Sequence, residues 1–199
     1  KATGLLLLCT GRATKQIEQL MLNRKEYVAT LKFGATTPSF DLEHPEDAHY
    51  PYEHITQGML EEALREFLGT TLQVPPIFSA VSVGGKRAYD LARKGKDCQL
   101  EGKPITIHEL EVVSFEPPYA TLRVSCGKGT YIRSLARDLG ERLQSGAYLT
   151  ALRRTQLGNV RVEDSLTLAE LPDFLAHAEL NEEGFDPIIP PRSEEHTSE

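Results

Sequence analysis

Residues 120–143 constrain the fold more than any other stretch, because they pass from a strand through a glycine turn directly into an amphipathic helix. Ala120 to Cys126 reads as the second arm of a hairpin whose first arm is Ile105 to Phe115 and whose turn is Pro117-Pro118. Gly127-Lys128-Gly129-Thr130 follows. Between Tyr131 and Leu143, residues Ile132, Leu135, Ala136, Leu139 and Leu143 then share one helical face, while Arg133 and Arg137 stack on another. Such a turn offers backbone N–H groups and a helix N-terminus to a phosphate, with Lys128 adding charge. It also sets Arg133 in the first turn, where it can pair with a carboxylate beside the Tyr131 ring. An ordinary strand-to-helix connection with a surface arginine accounts for the same residues, and spacing alone does not choose between the two.

The remaining segments alternate strands and helices. Leu5 to Leu8 reads as a buried strand or a helix entry, and Ile17, Leu20 and Met21 recur at helical spacing. Tyr27, Ala29, Leu31 and Phe33 alternate with Val28, Thr30 and Lys32, the period of a half-buried strand. Residues 35–55, rich in Pro, His, Asp and Glu, read as a solvated loop. Thr56 is the expected N-cap of a helix carrying Met59, Leu60, Ala63, Leu64 and Phe67 on one face, and Pro75-Pro76 breaks the chain after it. Ile77 to Val83 reads as a strand, Gly84-Gly85 as a turn, and Lys86 to Lys94 as a short basic helix. Strands at Leu149 to Arg153 and Val160 to Val162 and a helix capped by Ser165 or Thr167 complete the series.

Composition limits the partners. A chain of 199 residues with 40% hydrophobic content allows one sizeable domain with a short appendage. Its longest apolar run, Leu5 to Cys9, is far below the roughly 20 residues that span a bilayer, which argues against a membrane or secreted protein. Cys9, Cys98 and Cys126 form no CxxC pair, which suits a reducing cytosol and no structural zinc. The net charge of −7 is segregated: residues 1–40 carry +4, 41–66 carry −7, 67–162 carry +6 and 163–199 carry −10. The basic stretches can build a cationic groove for nucleic acid. Gly127 to Thr130 lacks the spacing of a nucleotide-triphosphate loop. His44, His49 and His54 are read as solvated loop residues rather than metal ligands, and no Ser, His and Asp are placed as a triad.

Both ends look unlike those of a complete gene product. The chain opens on Lys1 rather than Met and runs at once into an apolar segment, so an upstream segment is expected. Arg192 to Glu199 reads as a translated sequencing adapter and is left out of fold reasoning.

Several motifs together point to a family. SCGKGTYIRSLARDLGERL resembles the KGTYIR segment of the bacterial tRNA pseudouridine-55 synthases of the TruB type. ATGLLLLCTGRATK resembles the stretch after that family's GTLDP catalytic loop, KEYVATLKFG its Tyr-bearing strand, and PPIFSAVSVGGKRAYDLARKG and ALRRT two further segments, all in order from Ala2 to about Leu171. The resemblance implies an α+β pseudouridine synthase fold, with a mixed, mainly antiparallel sheet flanked by helices. It implies isomerisation of one uridine in the T-loop of tRNA without a cofactor or metal, by a cytosolic monomer that engages the T-arm. By position, Tyr27 is the Tyr that stacks on the uracil and assists proton removal, and Arg133 pairs with the catalytic Asp. Tyr131 lines the pocket, Leu152 forms its apolar wall, Lys86 and Lys128 contact phosphate, and Tyr89 is a further contact. The physics agrees: a flipped base needs an aromatic surface, and a carboxylate in a dry pocket needs a guanidinium to stay ionised.

The chain also departs from the pattern. The family's Asp falls two residues before Lys1, so the 199-residue chain is expected to be inactive, with Asp41 and Asp138 no substitutes for it. ATTPSFDLE replaces the more usual TDTxDxxG. Residues 1–162 are read as the catalytic domain without its N-terminal segment and 163–191 as a short helical C-terminal segment. The competing reading is a non-catalytic RNA-binding module of the same fold; a protein-interaction domain with an acidic face rests only on the acidic blocks. An upstream GTLDP in frame discriminates the first two.

Overall fold

The computed structural model describes residues 2–79, 82–83, 86–87 and 100–177. Its centre is a sheet of strands in the order β1 (Ala2–Gly4), β10 (Ala147–Leu157), β2 (Lys25–Phe33), β9 (Tyr119–Cys126), β8 (Lys103–Glu116) and β5 (Gly69–Gln73), with β11 (Val160–Arg161) also paired to β10. Every pairing is antiparallel except β1 with β10. The sheet is therefore mixed and mainly antiparallel, as expected.

Alternation in β2 decides which face is covered. Lys25, Ala29, Leu31 and Phe33 are buried, and Leu122, Val124 and Cys126 of β9 stand opposite Ala29, Tyr27 and Lys25 on the same face. Two helices lie over it: α2 (Gln57–Glu66), through Leu60, Ala63 and Leu64, and α3 (Ile132–Arg142), through Ile132, Leu135, Ala136 and Leu139. Gly140 explains how closely α3 sits, since a Cβ there would lie 2.5 Å from the Ala147 amide nitrogen of β10. Thr56 caps α2 as expected, its hydroxyl accepting from the Met59 amide at 3.2 Å. The opposite sheet face is polar: Arg123 reaches Glu26, Glu109 and Glu111 there. This is the usual division of a one-sided antiparallel sheet.

Several expectations are corrected. Leu5 to Leu8 is not a buried strand. The strand is Ala2–Gly4, only Leu5 is buried, and Leu6 and Leu8 are 70% and 68% exposed. A 3-10 turn (Gly11–Gln16) then leads into α1 (Ile17–Leu22). Residues 35–55 are not wholly solvated. β3 (Ala35–Thr36) pairs with β4 (Ala48–His49), and Thr37 and Ser39 between them are buried. The cause is polar rather than apolar: Thr37 bonds the loop's own backbone and Ser39 the Asp41 side chain, a pattern without hydrophobic period. β5 was not foreseen either, because GTTLQ is an edge strand with little alternation. Residues 77–79 form a bend rather than a strand. β6 (Ser82–Val83) pairs with β7 (Lys86–Arg87), so Lys86 begins a strand and not a helix; residues 88–94 lie outside the described residues. The last helix, α4 (Leu171–His177), starts four residues beyond Thr167, whose hydroxyl and amide both bond Glu170.

Candidate functional site

α3 is anchored at its first turn by the end of β5. The buried Gln73 side chain accepts from the Tyr131 amide at 2.9 Å and donates to the Tyr131 carbonyl at 3.2 Å. Ser134 Oγ and an Arg137 terminal nitrogen both donate to the Val74 carbonyl at 2.8 Å. With both sides of the first turn fixed, the direction of Arg133 is set. Its guanidinium donates to the Ser39 carbonyl at 3.1 Å and to the Phe78 carbonyl at 2.8 Å, and it lines a cleft.

One wall of that cleft is the loop after β3, through Asp41, Leu42 and Glu43, together with Phe78; the other is residues 149–152 of β10 and Ala2 of β1. Thr37 Oγ1 donates to the Asp41 carbonyl at 2.7 Å and accepts from the Asp41 amide at 3.0 Å, which closes a tight turn. Phe40 within it holds φ +57°, the left-handed region a bulky side chain rarely enters. The turn is tied to β10 by the Leu149 amide, which donates to the Phe40 carbonyl at 3.0 Å. Backbone strain of this kind is characteristic of functional loops.

β1 closes the cleft because nothing larger than glycine fits its end. Gly4 has φ +95°, and a Cβ there would stand 2.2 Å from the Arg154 carbonyl oxygen. Leu5 exchanges two hydrogen bonds with Arg154, amide to carbonyl and guanidinium to carbonyl, each 2.8 Å. Ala2 is thereby in register with Leu152, and both line the cleft.

The structure sets Arg133 and Leu152 in the lining of one cleft together with Asp41, a residue of the loop expected to be solvated. Tyr27 lies on the same sheet face, across from Arg154, and packs on the core beside Leu152, but it is not in the lining of this cleft. Burial pushes the Tyr27 phenol up, a buried Cys126 thiol adds to the rise, and the Arg154 guanidinium pulls it back. The phenol therefore keeps its proton at neutral pH and offers a ring and a donor. Tyr131 sits at the N-cap position of α3, half-buried, held through its backbone by Gln73. Lys128 is exposed in the glycine turn. Lys86 is placed in β7, and Tyr89 lies outside the described residues.

Lys25 was not singled out. Its buried ammonium donates to the Met21 and Asn23 carbonyls at 2.7 and 3.2 Å and so closes the end of α1. Burial lowers its pKa, and the charges of Arg154 and Lys128 lower it further, although Cys126 opposes them. Three cations thus gather at the start of β2. The three loop histidines serve separate contacts: His44 with Ser39, His49 with Glu46 and His54 with the Leu143 carbonyl. Asp138 pairs with Arg137 at 2.8 Å. Among the described residues no three His, Cys, Asp or Glu side chains converge as a metal site.

Residues 1–132 match the family described as TruB family pseudouridylate synthase (N terminal domain), and residues 133–194 match tRNA pseudouridylate synthase B C-terminal domain. The chain is 55% identical over 181 residues to the tRNA pseudouridine synthase B of Phocaeicola vulgatus, covering 91% of this chain and 77% of that protein. It is 54% identical over 183 residues to the protein of that name from Bacteroides thetaiotaomicron, covering 90% and 76%. Among solved structures it is similar to a chain in the crystal structure of a Cbf5-Nop10-Gar1 complex, with a TM-score of 0.56 and 26% identity. That likeness covers 82% of this chain and 40% of that one. A chain in the structure of an H/ACA RNP bound to a substrate RNA containing 2'-deoxyuridine shares the fold with a TM-score of 0.54 at 22% identity, covering 82% and 38%.

Proposed function

This chain belongs to the TruB family of pseudouridylate synthases, and from that premise we propose that the protein converts uridine 55 in the T-loop of tRNA to pseudouridine at the cleft beside Arg133. The observation that carries the proposal is that Ala2 lines the same cleft as Arg133 and Leu152. ATG begins at Ala2, so an Asp standing where the family's GTLDP has it, two residues before Lys1, reaches this cleft next to the guanidinium. There Arg133, already directed by two carbonyls, pairs with the carboxylate and keeps it ionised in a site a base has dried. Leu152 supplies the apolar wall against the uracil, while Tyr27 stacks on the flipped base and assists proton removal, with Tyr131 beside them. No cofactor enters this scheme, since the reaction detaches and rejoins the same base.

Lys128 and Lys86, with Tyr89, contact the T-arm, and the protein acts as a monomer in the cytosol. Residues 1–162 form the catalytic unit, with 163–191 a short appendage. The 199-residue sequence contains no GTLDP and is therefore proposed to be inert on its own. Mass spectrometry of T-arm RNA tests this. Pseudouridine is expected from the protein with a GTLDP-ending segment in frame before Lys1, and none from residues 1–199 alone. Product from the shorter chain refutes the need for that Asp, and none from the longer one refutes the assignment.

A further inference from the structure

The loop that walls the cleft, where ATTPSFDLE replaces the more usual TDTxDxxG, contains a contact that none of the assigned roles uses. Ser39 Oγ stands 2.6 Å from Asp41 Oδ1, and the same carboxylate oxygen accepts from the Glu43 amide at 2.9 Å. A carboxylate only accepts, so the single hydroxyl proton of Ser39 points to Asp41. His44 Nδ1 lies 2.9 Å from that hydroxyl oxygen and must then be the donor, which assigns a proton to Nδ1. The other side of the ring rests on Phe78, with centroids 4.8 Å apart and planes inclined at 41°. Ser39 and Phe78 are also the two residues whose carbonyls hold Arg133. One half-buried imidazole therefore touches both supports of the guanidinium and, through Ser39, the Asp41 carboxylate.

We infer that His44 is a positioning residue for this cleft: its Nδ1–H orients Ser39 and thereby Asp41, and its ring fixes Phe78, so that Arg133 is held ready for the carboxylate it pairs with. The inference rests on the proposed reading of the cleft as the site of uridine isomerisation. His44 is not in the lining of the cleft; it acts by keeping two walls of the cleft in one arrangement, where small displacements are costly to turnover.

Two measurements test it. In the 199-residue chain labelled with 15N-histidine, long-range 15N–1H spectra at neutral pH should show His44 protonated at Nδ1, and Ser39→Ala should shift the ring towards the Nε2–H form. An Nε2–H ring in the unsubstituted protein overturns the inference. In the GTLDP-bearing protein, His44→Asn, whose amide N–H falls near the place of Nδ1, should keep kcat within about 3-fold, whereas His44→Gln and His44→Ala should lower kcat about 10-fold with KM little changed. Equal losses in all three, or a change confined to KM, overturn it as well. No pseudouridine from the unsubstituted GTLDP-bearing protein overturns the functional reading and this role with it, while full product with no effect of any His44 substitution overturns this role alone.

Discussion

Arg133 illustrates what a planar fork does that an ammonium cannot. Two carbonyl oxygens, from segments far apart in sequence, take one terminal nitrogen each at 3.1 and 2.8 Å, so the group is aimed before any carboxylate arrives. Tyr27 is governed instead by burial, which keeps its hydroxyl protonated. Ring and hydroxyl can be separated by substitution: in the GTLDP-bearing protein, Tyr27→Phe should retain T-arm affinity and lose about 10²–10⁴-fold in turnover. Tyr27→Ala should also weaken binding by about 1–3 kcal/mol, because the stacking surface is gone. Single-turnover rates with filter-binding affinities check both, and equal affinity for the two variants would deny the stacking role. The approach of Arg133 to Leu152 was legible because each lies within a motif with fixed spacing to a helix or strand; the place of Tyr27 outside the cleft lining was not. Asp41 was not. Residues 35–55 around it are rich in Pro, His, Asp and Glu, which read as solvent-facing, and what buries the turn is the bonding of Thr37 and Ser39 to their own loop.

At the level of elements, the cleft exists because α3 and the loop between β3 and β4 are each pinned to the sheet by polar contacts, most of them half-buried. For the loop the pin is Glu46, which accepts from Lys32 Nζ at 2.7 Å and from the Tyr148 hydroxyl at 2.8 Å. The Lys32 bond, with help from Tyr148, holds its carboxyl down to about 2 from the ordinary 4.5. A carboxyl lowered on folding contributes stability above its unfolded value and loses it as pH falls through the folded one. The thermal midpoint should therefore drop between pH about 4.5 and about 2, and Glu46→Gln should flatten that part of the profile while lowering stability at pH 7. Calorimetry across that range decides it; an unchanged acid limb in the variant would remove Glu46 from the account. Strand β2, the β8–β9 hairpin and α3 could be read from period alone, since each buries one regular face. β5 and the β1 boundary could not, because a GTTLQ edge strand shows little alternation and Leu6 and Leu8 look buried by type yet face outward.

Taken whole, the molecule separates its charge by face and by end. Arg123 and Arg24 are committed to Glu26, Glu109 and Glu111 on the polar side of the sheet, whereas Lys25, Lys128 and Arg154 crowd the start of β2. Lys25 is buried with its ammonium taken by two carbonyls, so a polyanion should meet this end through the exposed Lys128 despite the net charge of −7. Lys128→Ala should weaken T-arm binding and reduce the salt slope by about one counterion, and replacing Glu61 and Glu62 by Gln should do little. Stronger weakening from the glutamate changes would place the RNA elsewhere. The charge blocks were visible in the sequence, but their sorting onto faces depends on strand register, which the composition does not contain. The central claim is that the cleft beside Arg133 does the chemistry and not merely the binding. Its most direct test is single-turnover formation of pseudouridine, by mass spectrometry, in the GTLDP-bearing protein and its Arg133→Ala variant, with T-arm affinity measured on the same samples. The rate is predicted to fall about 10²–10³-fold while affinity changes little; an unchanged rate, or rate and affinity falling by the same factor, would contradict it.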